Sequence, residues 1–272
     1  MSMRRIGISS WTYGWAVGVE QYTQPPNPLT AVDLVHQARQ LGVDLIQLGD
    51  NLPVDRLLPS EQAALREVAR DFGIALELGT RGVKPAHLLR CLDLAVYFDS
   101  KLIRTLPQEV TSTLSSQETE ECIRSVLQDF RAAGVVLALE NYEAETSVEL
   151  AALVKNIGDA FLGICLDTVN SFGALETPRD VVRNLMPHVR NLHIKDFIIR
   201  RPAHKMGFEI QGCPAGEGML NVDWLFTELN ASGLNPTVIL EQWVPWEGSI
   251  AKTVATEQQW AAQSIAYLNK YR

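Results

Sequence analysis

The chain has 272 residues, 46% of them hydrophobic and 21% charged, with a formal net charge of −8. That length is close to the ~250 residues typical of one (β/α)8 barrel, and the composition is that of a globule with a large core. The acidic balance, with no basic run, argues against a nucleic-acid partner, and no apolar stretch approaches the ~20 residues that span a bilayer.

Short apolar runs alternate with longer amphipathic ones along the whole chain. The first strand is expected over Arg5–Ser10, followed by a long connection from Trp11 to Leu29 and a helix over Thr30–Leu41. Strand Leu45–Gly49 precedes helix Pro59–Phe72, Ala75–Thr80 precedes Lys84–Asp99, and Leu102–Leu106 precedes Gln117–Ala133. Val135–Asn141 then leads to Ser147–Ile157, and Leu162–Thr168 to Pro178–Met186. After strand Val189–Lys195 comes a second long connection, Phe197 to Asn221, and the helix Val222–Ser232. Thr237–Gln242 and the helix Thr253–Lys270 close the pattern. Gly42, Gly73, Gly134 and Gly233 each sit where a helix must stop before a strand begins.

Eight strand–helix repeats with near-continuous apolar strands predict an α/β fold, a single (β/α)8 TIM barrel, with residues 1–272 forming one domain. An open doubly wound sheet is disfavoured, because SSWTYGWAVGV after the first strand lacks the G-x-G-x-x-G phosphate turn. Long connections after strands lie on the catalytic face of such a barrel and form lids or pocket walls. The four cysteines are scattered and fit neither a zinc knuckle nor a disulfide framework. With the first strand so near the start there is no room for a signal peptide, and a cytoplasmic chain is expected.

Four strands in succession end in a residue that can bind metal: Glu140 in VVLALENYE, Asp167 in GICLDTVN, His193 in RNLHIKD and Glu241 in VILEQW. A carboxylate that ends an apolar strand points into a barrel from a buried position. Buried unpaired carboxylates are costly and converging ones repel, so one divalent cation relieves both penalties. A lone residue of this kind is more often a cap or salt-bridge partner; four at matching depth on neighbouring strands shift the balance. Carboxylates with one imidazole favour Mn²⁺ or Mg²⁺, with Co²⁺ or Zn²⁺ also compatible.

That order of Glu, Asp, His and Glu resembles the xylose-isomerase-like TIM-barrel superfamily. So do LHIKD on strand seven, the later PAGEGMLNVDWLF and the closing VILEQW. Its members include sugar isomerases, sugar 3-epimerases, inosose dehydratase and endonuclease four. The resemblance implies a metal that stabilises an enediolate, with Glu140 and Glu241 as acid–base pair as well as ligands. The chain departs from the epimerase pattern at Asn170, where those enzymes commonly carry a substrate-touching His. Asn can hydrogen-bond a hydroxyl and cannot carry a proton at neutral pH.

Strand seven and its connection are basic, with Lys195, Arg200, Arg201, His204 and Lys205 within eleven residues. Lys195 shares the strand parity of His193 and so points into the same pocket, as a catalytic candidate. Arg81 in ELGTRG, Arg104 on strand four and His204 are candidate substrate contacts, favouring an anionic sugar or sugar acid over a solvated basic loop. Trp11, Tyr13 and Trp15 after strand one, with Trp243 and Trp246 after strand eight, are expected to form a wall against a sugar face.

The leading expectation is therefore a metal-dependent sugar isomerase or epimerase. The alternative is a lyase on the same site, either a dehydratase or a decarboxylase of a 3-oxo sugar acid. LGDNLP and GTRG resemble members that decarboxylate oxidised branched-sugar acids, of the 3-oxo-isoapionate decarboxylase type. An endonuclease needs many histidines, and only one of the five here ends a strand. A homodimer is the one assembly allowed for.

Overall fold

The computed structural model describes residues 3–108 and 114–272. Eight parallel strands close into a barrel. They are β1 (Ile6–Ser9), β2 (Leu45–Leu48), β3 (Ala75–Arg81), β4 (Leu102–Leu106), β5 (Val136–Glu140), β6 (Leu162–Asp167), β7 (Val189–Ile194) and, last in the chain, β10 (Thr237–Leu240). Two further strands, β8 (Asp196–Arg200) and β9 (Glu209–Cys213), form a separate antiparallel hairpin. The connection expected to be a plain loop from Phe197 onward is thus partly a hairpin. Its Phe197-Ile198-Ile199 run pairs with Ile210-Gln211-Gly212 across the chain reversal.

The helices surround the barrel: α1 (Gly14–Val17), α2 (Ala31–Leu41), α3 (Pro59–Phe72), α4 (Pro85–Tyr97), α5 (Ser116–Ala133), α6 (Ser147–Ile157), α7 (Pro178–Leu185), α8 (Val222–Ala231) and α9 (Ile250–Leu268). Their starts are written in capping boxes. Thr30 with Asp33, Ser115 with Glu118 and Thr146 with Glu149 exchange side-chain and backbone hydrogen bonds at the first turns of α2, α5 and α6. Gly134 stops α5 in the left-handed conformation, φ 67°, which an L side chain resists.

Burial follows the period of each element. In α5 the residues Ile123, Val126, Leu127 and Phe130 form one inward stripe, and Phe130 is fully buried. Truncating Phe130 to Ala costs about 3–5 kcal/mol through lost transfer energy and a cavity. The strands are buried on both faces, as a parallel sheet wrapped by helices requires.

Register then decides which residues share the barrel interior. Glu140 pairs with Cys165, Asp167 with His193, Cys165 and Thr237 with Asn191, and Gln47 with Glu77. Residues paired in register face one side of the sheet, so these polar groups all turn into the barrel.

Candidate active site

The carboxyl ends of β5, β6, β7 and β10 bring Glu140, Asp167, His193 and Glu241 together. One ligand-competent atom from each lies within 4.8 Å of the others, and all four residues are buried. His193 Nδ1 is 3.3 Å from Glu140 Oε1, 3.4 Å from Glu241 Oε1 and 3.8 Å from Asp167 Oδ2. His193 Nδ1 is buried without a hydrogen-bond partner, while Glu140 Oε2 and Asp167 Oδ2, equally buried, meet only the cations of Arg104 and Lys195. Buried polar atoms are rarely orphaned, and a cluster of lone pairs converging on one point is what a divalent cation satisfies. The residues therefore fit such an ion.

The remaining lone pairs are used locally. Ser9 donates to Glu241 Oε1 at 3.0 Å, and Asn170 Nδ2 to Glu140 Oε1 at 2.9 Å. Asp167 Oδ1 accepts from the backbone amides of Val169 and Asn170, both at 2.8 Å. Glu241 stands one residue past β10, where its amide donates to Ile194 O at 3.0 Å.

Cations surround the carboxylates. Lys195 Nζ lies 2.9 Å from Asp167 Oδ2 and 2.9 Å from Glu241 Oε2, and donates to Asn170 Oδ1 at 3.2 Å. Arg104, almost fully buried, ion-pairs with Glu140 through Nε and with Asp50 through Nη1 at 3.4 Å. Gly79 beside it lets the β2 backbone approach closely: a Cβ there would meet Gly49 Cα at 3.0 Å and Leu48 O at 3.2 Å. Burial alone would raise the Glu140 carboxyl, but Arg104 and His193 outweigh it and hold the group below its ordinary range. Glu241 follows the same balance, burial opposed by His193, Lys195 and Arg104, and falls to about 2. His193 is pulled the other way. Burial lowers it, and the carboxylates of Glu241 and Glu140 win and raise it. Lys195, disfavoured by burial, is raised by Asp167 and Glu241 and stays an ammonium.

Asp50 is a site residue that strand-end reasoning passed over. Its carboxylate receives Trp11 Nε1 at 3.0 Å, Arg81 Nε at 3.3 Å and Arg104 Nη1 at 3.4 Å. Desolvation raises its pKa, and Arg104, Trp11 and Arg81 together bring it below the ordinary value. Arg81 lies over the Tyr142 ring, 5.4 Å from its centroid.

A cavity of about 190 Å³ opens above the four metal-competent residues, lined by Arg81, Arg104, Glu140, Asn170, Lys195 and Glu241 among others. A second of about 330 Å³ shares Trp11, Tyr142, Asn170 and Lys195 with it and continues to Glu143, Gln242 and Trp243. A larger cavity, about 930 Å³, opens instead where strands begin, at Arg5, Leu45, Ala75 and Thr237, and among the described residues it carries no convergent metal-competent set. The carboxyl ends are where barrel enzymes place their chemistry, so the smaller pair is the candidate site.

Two expectations need correction. His204 is exposed near the tip of the hairpin, where its Nδ1 accepts from the Met206 amide, and it lines neither cavity at the site. The hairpin pairing of β8 with β9 carries it away from the ligand set. The aromatic wall is smaller than expected: Trp11 and Trp243 line the cavity. Tyr13 is buried in the core, and Trp15 and Trp246 pack with Tyr22 at centroid distances of 4.9–5.3 Å. Among the described residues no helix is long and apolar enough to cross a membrane.

Comparison with known proteins agrees with this architecture. Residues 35–271 match the family model described as xylose isomerase-like TIM barrel. The 3-oxo-isoapionate decarboxylase of Pectobacterium atrosepticum is 36% identical over 263 residues, 97% of this chain and 94% of that protein. Among solved structures, D-psicose 3-epimerase from Clostridium cellulolyticum H10 with D-tagatose superposes with a TM-score of 0.73 at 17% identity, covering 98% of this chain and 99% of that one. A xylose isomerase-like TIM barrel protein of Mycobacterium smegmatis in complex with magnesium gives 0.71 at 18% identity, with 98% and 99% covered. The chain belongs to the xylose isomerase-like TIM barrel family.

Proposed function

We propose that this protein is a divalent-metal-dependent decarboxylase of a 3-oxo sugar acid. The observation that carries the reading is the charge around the small cavity. Asp50, Glu140, Asp167 and Glu241 face Arg81, Arg104 and Lys195 there, one negative charge in excess. A divalent ion held by Glu140, Asp167, His193 and Glu241 turns that excess into one positive charge, which a substrate carboxylate neutralises. The 36% identical relative is named for a decarboxylation of this kind.

When bound, the ion supplies positive charge against the oxygen on which electrons accumulate as the carbon–carbon bond breaks. The chain does the rest. Arg81, fixed through Nε to Asp50, offers its outer edge to the substrate carboxylate, and Trp11 and Trp243 enclose the carbon skeleton. The bond between the carboxylate and the carbon beside the ketone breaks, its electron pair moves toward the ketone oxygen, and CO₂ leaves. One proton then has to reach that carbon. Arg104 cannot give one, Asn170 has none to give, and Glu140 and Glu241 are held ionised. Lys195 and the Tyr142 hydroxyl are the protonated donors left at the cavity, and Lys195, beside Asp167 and Glu241 at 2.9 Å, is assigned the transfer.

Isomerase or epimerase chemistry needs a carboxylate that takes a carbon-bound proton. The cations Arg81, Arg104 and Lys195 at the cavity suit a substrate that brings a carboxylate, which a neutral sugar does not, so they support that reading less well. The test is to supply the Mn²⁺-loaded protein with 3-oxo-isoapionate in D₂O. CO₂ release with one deuterium on the carbon that bore the carboxylate is expected. Exchange or rearrangement without CO₂ overturns the proposal.

A further inference from the structure

Beneath the ligand set the barrel interior is polar where packing alone asks for apolar side chains. Gln47, Glu77 and Asn191 are buried there, with half-buried Thr237 at the start of β10. Glu77 is so deep that burial raises its carboxyl, against hydrogen bonds from Thr237 and Gln47. A buried polar network of this kind is costly beside a well-packed apolar one, so a role other than stability is indicated.

The hydrogen bonds have a direction. Gln47 Nε2 is 3.1 Å from Glu77 Oε2 and 3.1 Å from Asn191 Oδ1, both acceptors, which fixes it as the amide nitrogen. Glu77 is committed as acceptor, taking Thr237 Oγ1 at 2.7 Å and Asn191 Nδ2 at 3.2 Å as well. Asn191 is oriented in turn by donating to Thr237 Oγ1 at 2.8 Å and accepting from the Cys165 thiol at 3.1 Å. Gln47 must then present Oε1 to the far side of its amide, where it meets His193 Nε2 at 2.8 Å. An oxygen acceptor at that distance requires a proton on Nε2. A neutral ring with its proton there carries its lone pair on Nδ1, the atom that faces Glu140, Asp167 and Glu241 without a hydrogen-bond partner.

We propose that Gln47, held from behind by Glu77, is a positioning residue that fixes His193 as the Nε2–H tautomer and so presents Nδ1 to the divalent ion. The inference rests on the reading that the four-residue cluster holds a metal. It adds two strands, β2 and β3, to a centre whose ligands all come from β5 onward. Outer partners of a metal-bound imidazole commonly change affinity by about 10–100-fold when removed.

The experiment compares Mn²⁺ binding by titration calorimetry in wild type, Gln47→Met and Glu77→Gln, with ¹⁵N NMR of the His193 ring. Gln47→Met keeps the volume and loses the acceptor; we expect Mn²⁺ affinity to drop roughly 10–100-fold. Glu77→Gln keeps an acceptor oxygen for Gln47 and loses less. In metal-free wild type, at a pH high enough for the ring to be neutral by its own ¹⁵N titration, NMR should show the proton on Nε2 alone, and Gln47→Met should mix the two forms. Unchanged Mn²⁺ affinity in folded Gln47→Met, or an Nδ1–H ring in wild type, overturns the proposal. Should wild type bind no Mn²⁺, the metal reading fails by calorimetry, and the NMR result still decides what Gln47 does to the ring. The wild-type spectrum also decides it if Gln47→Met does not fold.

Discussion

The ammonium of Lys195 stands 2.9 Å from the Glu241 carboxylate, each residue one position beyond the end of its strand. The two strands set that meeting, since Ile194 of β7 pairs with Leu240 of β10 and the next residue of each turns into the cavity. Lys195 is therefore held by barrel register and not by a loop, which suits a group asked to deliver a proton to a fixed point. Replacing it with Met should lower the decarboxylation rate by about 10²–10⁴-fold, the usual worth of a positioned acid. Lys195→Arg keeps the charge and has no proton to release, so its rate should stay near that of the Met variant. Steady-state turnover of the Mn²⁺-loaded variants measures this; recovery in the Arg variant would reduce Lys195 to a fixed cation.

A proton and a divalent ion compete for the same atom of His193. Burial lowers the ring, Glu241 and Glu140 oppose it and together outweigh it, and the net shift is upward. Below the raised value Nδ1 holds a proton, so Mn²⁺ affinity is weak there and strengthens as pH rises through it, with about one proton released per ion. Calorimetry in two buffers of different ionisation enthalpy counts that proton. An affinity that does not strengthen as pH rises, with no proton released, would remove Nδ1 from the proposed ligands.

The four metal-competent residues were legible because each stands at the end of an apolar strand, and one rule of parallel barrels places such ends together. The groups around them were not. Gln47 in LIQL looks like an ordinary strand position, and its partner His193 lies 146 residues away. Asp50 in LGDN has the composition of a turn, and its meaning depends on Arg81 and Arg104 arriving from β3 and β4. The hairpin hid for a different reason. Its strands are five residues each and the segment between them, with Pro202, Lys205 and Gly207, carries loop chemistry.

Arg81 offers a cleaner test of substrate charge than Lys195, because it touches none of the metal-competent residues. Its Nε is tied to Asp50 at 3.3 Å and its side chain is about a quarter exposed toward the cavity. Losing a charge-assisted contact of about 1.5–3 kcal/mol should weaken binding of the 3-oxo acid roughly 10–100-fold in Arg81→Ala. Binding of the neutral decarboxylated product should change little. Equal losses for both ligands would place Arg81 in the framework and leave the carboxylate to another group.

Far from the reacting atoms, Glu257 on α9 should make stability depend on pH. It is 1% exposed, and its carboxyl accepts from the amides of Trp15 and Ala16 at 2.9 and 3.0 Å, in the connection that also carries Trp11. Burial outweighs those two hydrogen bonds and pushes the group up to about 8. An unfolded glutamate ionises near ~4.3, so between the two values the folded chain holds a proton that the unfolded chain has lost. The stabilisation is complete below the unfolded value, is lost as pH rises toward 8, and the dependence ends above it. In Glu257→Gln the neutral amide keeps one acceptor oxygen and the dependence should vanish. Melting temperatures of the two proteins across about pH 5 to 9 should therefore converge or cross as pH rises, with wild type losing ground up to about pH 8 and the difference constant beyond it. Parallel curves would mean that Glu257 is ionised in the fold, its charge carried by the two amides at the start of α1.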